Sequence, residues 1–348
     1  MPARVSLPGA WAFSLGTSVG WGSLVVTSST YLAQAGPLGS VLGLAAGMLL
    51  MMVISRNYAY LMNACPEPGG AYAYSREVFG HDHGFLTGWF LALTYLAVLW
   101  ANATSIPLFA RFFLGDLFQK GYLYTLFGYD VYLGEALLSL LVLAGAATLC
   151  VKSWRAAYRV MVGLVFLFTA GIGIVFAGAL MGLDRPMSPA FVPDSDAMMQ
   201  IIQIAVISPW AFIGFESISH SAEEFSFNRK KSFRVLLVAV VSTTALYICV
   251  TLLSVMAYPP QYNSWVEYIR DRGNLSGLAG IPAFYVADHY LGSFGVAVLM
   301  VALLALIITS LIGNLTAVSR LFCAFARDRV LPDRFSGLNR QGVPASAL

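Results

Sequence analysis

Residues 207–224 read ISPWAFIGFESISHSAEE, an apolar run interrupted by Pro209 and Gly214 and carrying Glu216 and His220. Proline removes a backbone donor and glycine weakens a helix, so a span built on this stretch leaves peptide groups without partners. At membrane depth such groups survive only where they are buried in protein or line a polar cavity. The stretch therefore reads as a transmembrane helix broken near its middle, with the exposed ends offered to a small polar solute.

The rest of the chain fits a membrane setting. Its 348 residues are 58% hydrophobic and 11% charged, where soluble domains carry about a quarter charged residues. Mean hydropathy is +0.74. The N-terminus, MPARVSLPGAWAF, is too short in its charged and apolar regions to be a cleavable signal. Cys65, Cys150, Cys249 and Cys323 all fall away from the loops expected outside, so reduced thiols are expected rather than a disulfide scaffold. The net charge of +3 is spread over short loops and not gathered on one face, which speaks against nucleic acid as a partner. An enzyme fares badly too: the sequence has no His, Cys or carboxylate cluster at metal spacing, no nucleophile motif and no Gly-rich phosphate loop.

Apolar runs of about 20 residues predict eight spans, at 11–34, 39–55, 85–113, 133–150, 160–181, 198–222, 233–256 and 293–314. With the N-terminus inside, fifteen of the 20 Lys and Arg fall on that side, leaving Arg111, Lys120, Arg185, Arg270 and Arg272 on the other. The positive-inside rule then expects both termini to be cytoplasmic. The first span has its own weak point, Gly16, Gly20 and Gly22 in LGTSVGWGS. Two interrupted segments five spans apart mark an inverted repeat, because a second half offset by an odd number of spans starts from the opposite face. Each break also has a plainer reading, as glycines for close packing or as a harmless proline kink. Their matched spacing favours the repeat, with the solute between them.

Three stretches resemble the amino acid-polyamine-organocation permeases. CPEPGGAYAY at 65–74, followed by Phe79, Gly80, Gly88 and Trp89, looks like the loop and short helix before that family's third span. Residues 209–224 are similar to its sixth span. SRLFCAFARDRVLP at 319–332 resembles its cytoplasmic segment after span eight, and 342–344 the approach to span nine. The resemblance covers almost the whole chain. It implies an all-α integral membrane protein with the leucine-transporter-type inverted-repeat fold and discontinuous helices 1 and 6. Members have more than eight spans, so this chain is expected to be truncated after span 8, with 1–185 as the first repeat and 186–348 as an incomplete second. Two departures stand out: the loop FSFNRKKSF lacks the family's usual prolines, and Trp21 occupies a position that is small in many relatives.

The function so implied is a secondary active transporter of amino acids or related amines, working by alternating access in a prokaryotic cytoplasmic membrane, with solute and bilayer as partners. The alternative is a permease-like amino-acid sensor domain of a signalling protein. For a zwitterion, amides near Trp21, Gly22 and Ser23 at a helix start suit the carboxylate. Carbonyls of Ser18, Val19, Phe212 and Ile213 suit the ammonium, Gly20 and Gly22 permit close approach, and Gly214 at the second break is counted with the same site. Trp210 resembles the family's aromatic gate, or else anchors the membrane interface. Glu216 is a candidate for proton coupling, or else a structural carboxyl bonded to amides freed by the break. His220 lies four residues on and shares its face if that half is helical, though a packed polar contact is the plainer role. Span five lacks the lysine that some proton-coupled relatives use. Thr309 and Ser310 resemble a sodium-binding hydroxyl pair completed by the carbonyls of Gly16 and Val19, or else bond their own helix. Na+ or H+ is thus the expected coupling ion, with no other cofactor or metal. Trp21, Trp210 and Ile213 suggest an apolar or aromatic side chain over a dibasic one, and Glu216 leaves the opposite open.

Overall fold

The computed structural model describes residues 5–193, 195–275 and 277–348. Arg4, counted above with the cytoplasmic charges, lies outside the described residues. Helix α1 (Leu7–Ser18) begins at Ser6, whose hydroxyl accepts from the Gly9 amide, and places Pro8 in the first turn where a missing donor costs nothing. After a gap of Val19 to Trp21 the chain resumes as α2 (Gly22–Val26), passes through a π-helical turn at Thr27–Tyr31, and continues as α3 (Leu32–Ala64). That helix is divided: Gly36 sits at φ 63, a left-handed conformation that glycine tolerates, with Pro37 next. The first expected span is therefore α1 with 22–35, and the second is 37–64.

A short helix α4 (Ala71–Phe79) leads into α5 (His81–Leu114), and then follow α6 (Leu133–Lys152), α7 (Trp154–Met181), α8 (Ala197–Ile207), α9 (Ser232–Leu253), α10 (Trp265–Asp271) and α11 (Pro282–Arg327). Seven helical stretches among the described residues are long and apolar enough to cross a membrane. The protein is an all-α integral membrane protein, and each of the eight expected spans has a helical counterpart. Two run past their apolar windows, the second to Ala64 and the eighth to Arg327. Charge does not stop them because it is partnered. Arg56 lies over the Phe233 ring at 5.7 Å, and Arg320 meets Glu224 at 2.9 Å.

The sixth span departs from an ordinary helix over more of its length than the two breakers suggested. Helix α8 stops at Ile207, and the remainder is 3-10 helix, at Ser208–Phe212 and Phe215–Glu224. Between the third and fourth spans the chain forms a hairpin not foreseen from sequence, β1 (Tyr122–Leu126) against β2 (Tyr129–Tyr132). Its two-residue turn, Phe127 and Gly128, takes φ 51 and 79, the left-handed pair that matches strand twist.

Small residues set the helix spacing. A Cβ placed on Gly43 would lie 2.5 Å from Cβ of Ile204, so α3 and α8 approach to backbone contact. The loops sort onto two faces. On one, Val5 donates to the Glu224 carbonyl at 3.0 Å, Asn63 Nδ2 to the Arg229 carbonyl at 3.2 Å, and Asn339 Nδ2 to the Val151 carbonyl at 3.0 Å. Arg76 pairs there with Asp328 and, at 2.6 Å, with Glu67. On the other, Arg111 grips Glu135 through two bonds of 2.5 and 2.7 Å, and Trp265 Nε1 donates to the Pro189 carbonyl at 3.0 Å.

Candidate functional site

The two interruptions lie side by side. Helix α1 ends where Val19 turns extended, at φ −95 and ψ 113, and in the sixth span Gly214 at φ 95 separates the two 3-10 stretches. A Cβ on Gly214 would lie 2.9 Å from Cγ2 of Thr17, and one on Gly22 would lie 2.3 Å from the far edge of the Trp210 ring. A side chain at either position would have to displace a neighbour, so the breaks are in contact through Thr17 against Gly214 and the Trp210 indole against Gly22.

The peptide groups at the breaks divide into used and unused. Ser23 donates to the Gly20 carbonyl at 2.9 Å, and Trp21 donates to Asn102 Oδ1 at 3.1 Å. Of the three amides expected for a carboxylate, Trp21 and Ser23 are thus committed within the protein. The amides of Gly20 and Gly22 have no acceptor among the described residues, and the carbonyls of Ser18, Val19, Phe212 and Ile213 have no backbone donor there. Of these residues, Ser18, Gly20, Gly22 and Ile213 line a cavity of about 230 Å³. Its wall takes Ser18, Gly20, Trp21, Gly22, Val25 and Val26 from the first span, and Trp210 and Ile213 from the sixth. Val98, Ala101 and Asn102 of α5 and Tyr247 of α9 complete it. Val19, Ser23, Phe212 and Gly214 do not face the cavity, and Val19, Ser23 and Phe212 are buried behind it. Trp21 is wedged edge-on against Phe109, at 4.6 Å and 90°, which fixes how far its ring enters.

Sequence reasoning missed the α5 and α9 contributions. A signal was available for Asn102: it is the single side-chain amide in the apolar run 85–113, and polar groups inside a span are functional by default. Its amide is oriented by three partners, with Oδ1 accepting from Trp21 and Nδ2 donating to the Val98 carbonyl at 2.8 Å and to Ser310 Oγ at 3.1 Å.

Tyr95 was missed as well. Its hydroxyl donates to Glu216 Oε1 at 2.9 Å and lies 3.0 Å from His220 Nε2. A hydroxyl has one proton to give, so with that proton on Glu216 the His220 Nε2–H donates to the tyrosine oxygen. Glu216 Oε2 takes the Gly214 amide at 3.1 Å, which is the structural use of a carboxyl at a helix break. Glu216 and His220 do not share a helical face in the way an i,i+4 pair would, because the segment is 3-10 with three residues per turn; Tyr95 joins them from another span. The inner half of span six is further held by Ser14 Oγ donating to the Phe215 carbonyl and by Arg320 bonding Ser221 Oγ.

The sodium shell implied by resemblance is brought close but not assembled. A Cβ on Gly16 would lie 3.1 Å from Cβ of Thr309, yet the Thr309 hydroxyl donates to the Leu306 carbonyl at 2.8 Å within its own helix. Ser310 Oγ receives Nδ2 of Asn102 at 3.1 Å and of Asn314 at 3.3 Å, and the carbonyl it faces belongs to Thr17, not to Gly16 or Val19. Amide protons aimed at an oxygen occupy the lone pairs a hard cation needs. These residues as placed do not fit a sodium ion.

Fold and site together define a class, an all-α integral membrane protein whose first and sixth spans break around a shared cavity. The family follows from comparison: the amino acid permease family model matches residues 9–348, and the chain belongs to that family. It is 26% identical to a vacuolar cationic amino acid transporter of Arabidopsis thaliana over 99% of this chain and 53% of that protein. Against the amino-acid permease RocC of Bacillus subtilis identity is 23%, over 96% of this chain and 68% of the relative. The branched-chain amino acid permease BcaP of Lactococcus lactis gives 24%, over 97% and 71%. The chain spans about half the length of the plant transporters it matches.

Proposed function

We propose that this chain supplies the solute-binding core of a secondary active transporter for amino acids or related amines, working by alternating access. The observation that carries the reading is the presence of unpaired Gly20 and Gly22 amides and unpaired Ser18 and Ile213 carbonyls on residues that line one cavity. A zwitterion needs both kinds of group a few ångströms apart, and bare peptide supplies them without net charge. The relatives point the same way by name, as permeases, transporters and an antiporter for cationic, branched-chain and other amino acids. One is named for methylthioribose, so relatedness alone sets the solute class no finer than small polar metabolites. The sensor alternative has nothing in these names to rest on.

The inverted repeat belongs to the same proposal: residues 1–185 and 186–348 are read as related halves, supported by breaks in spans one and six that lie against each other. Coupling is assigned to Glu216 and a proton rather than to sodium, given the buried Tyr95 hydroxyl that links this carboxyl to His220 and the amide-filled surroundings of Ser310. The test is uptake of a panel of labelled amino acids into proteoliposomes containing the full chain. Accumulation of at least one, unchanged when choline replaces sodium and altered in pH dependence by Glu216→Gln, is the expected result. Failure to take up any member, with the protein verified as folded, would sink the transporter.

A further inference from the structure

We infer that the solute is an amino acid with an uncharged, apolar side chain, and that the cavity selects against lysine, ornithine and arginine. This rests on the reading of the cavity as an amino-acid site and narrows it. No ionisable carboxyl or amine lines the cavity; its polar side chains, Ser18 and Asn102, are bonded within the protein, and the rest of the wall is Trp21, Val25, Val26, Val98, Ala101, Trp210, Ile213 and Tyr247. A cationic side chain entering there surrenders its hydration and meets no counter-charge, and an unpaired buried ion is disfavoured far more than a buried methylene is favoured.

The one acidic group nearby does not answer that need. Glu216 is absent from the cavity wall, and its two oxygens are turned to Tyr95, at 2.9 Å, and to the Gly214 amide, at 3.1 Å. Reaching it would require a solute to displace bonds that hold the break itself together. The aromatic rings offer a cation only their faces, a weaker attraction than the hydration it loses. An anionic side chain fares no better, because the Gly20 and Gly22 amides are the donors the main-chain carboxylate requires and no Lys, Arg or His lines the wall. The three valines and Ala101 instead offer branched aliphatic surface at van der Waals reach, with Trp210 as a movable cover at the rim, 44% exposed.

The experiment measures equilibrium binding of tritiated L-leucine, L-phenylalanine and L-arginine in parallel to the purified full chain in lipid nanodiscs, with unlabelled amino acids as competitors. Leucine or phenylalanine should bind, and arginine and lysine should compete at least about a hundredfold more weakly. Arginine binding within about tenfold of the better apolar ligand overturns the inference while leaving amino-acid recognition intact. Binding of none of the three also overturns the inference, and the uptake panel then decides separately whether the transporter reading beneath it stands, so the two failures are distinguishable. Ala101→Asp, which places a carboxylate on the wall, adds a reversal test. Its melting temperature is checked first, and Val98→Asp substitutes if it does not fold. Leucine should weaken and arginine gain; an unchanged preference in a folded variant counts against the wall as the selecting surface.

Discussion

At the scale of single residues the site is a matter of what has been left out. Gly22 has no side chain because the Trp210 ring fills that space, with its edge 2.3 Å from where a Cβ would stand. The contact is with the free end of a half-exposed ring, so Gly22→Ala should fold and push the indole aside rather than unfold the helix. We expect affinity for the solute to fall by at least about tenfold, about 1.4 kcal/mol, and Trp210→Leu in the same background to restore part of it. Isothermal titration on the two variants checks this; full affinity in Gly22→Ala would show that the approach to this backbone does not matter. Tyr95 is the opposite case, a group whose presence cannot be spared. Tyr95→Phe deprives both Glu216 and His220 of a partner, and His220 Nδ1 already has none among the described residues. Leaving buried polar atoms unsatisfied costs about 1–3 kcal/mol, to be read as a lower midpoint in thermal unfolding. A midpoint equal to the parent's would mean the hydroxyl is replaced by water.

Among the elements, the sixth span depends on its neighbours for its shape. Its inner half is 3-10 helix with poorer internal hydrogen bonding than an α-helix, and it is held by Ser14 of α1, Tyr95 of α5 and Arg320 of α11. The Arg320–Glu224 pair, 2.9 Å apart with side chains 10% and 7% exposed, is the charged part of that grip. Arg320→Met would leave Glu224 buried without its partner, a loss of about 3–5 kcal/mol, and adding Glu224→Gln should recover a good part of it. Chemical unfolding of single and double variants in detergent separates the two; an equal loss in both would assign the effect to packing alone. This dependence also explains which parts were legible in the sequence. Span number, and the breaks at 19–21 and 213–214, follow from length, hydropathy and Gly or Pro, all local properties. That Asn102 would bond Trp21 and Ser310, or that Tyr95 would reach Glu216, is decided by residues 81 to 208 positions apart, and one sequence does not encode partner choice in any readable period. The extension of α11 to Arg327 was hidden for the same reason, since an arginine reads as an end until its partner is known.

For the whole molecule the charge of the loops predicts which face is which. Hydrogen bonds and ion pairs gather the N-terminal strap, α4, the 225–231 loop and the residues after Arg327 onto one face. That grouping includes Arg76, Arg229, Lys230, Lys231, Arg327, Arg329, Arg334 and Arg340, whereas the hairpin and α10 share the other face with Lys120, Arg270 and Arg272. A cationic loop is retained on the side where synthesis occurs because the membrane potential and anionic lipid both oppose its export. The contacts join loops far apart in sequence, so the two faces invert together or not at all. Replacing the four native cysteines and placing a single new one therefore reports on the entire fold. Lys120→Cys and Arg270→Cys should react with a membrane-impermeant maleimide added to intact cells, and Lys230→Cys and Arg334→Cys only after the cells are opened. Reaction of all four from outside would mean a mixed or unfolded population. The reverse pattern would place both breaks on inverted halves of the bilayer and exchange the side from which Trp210 covers the cavity.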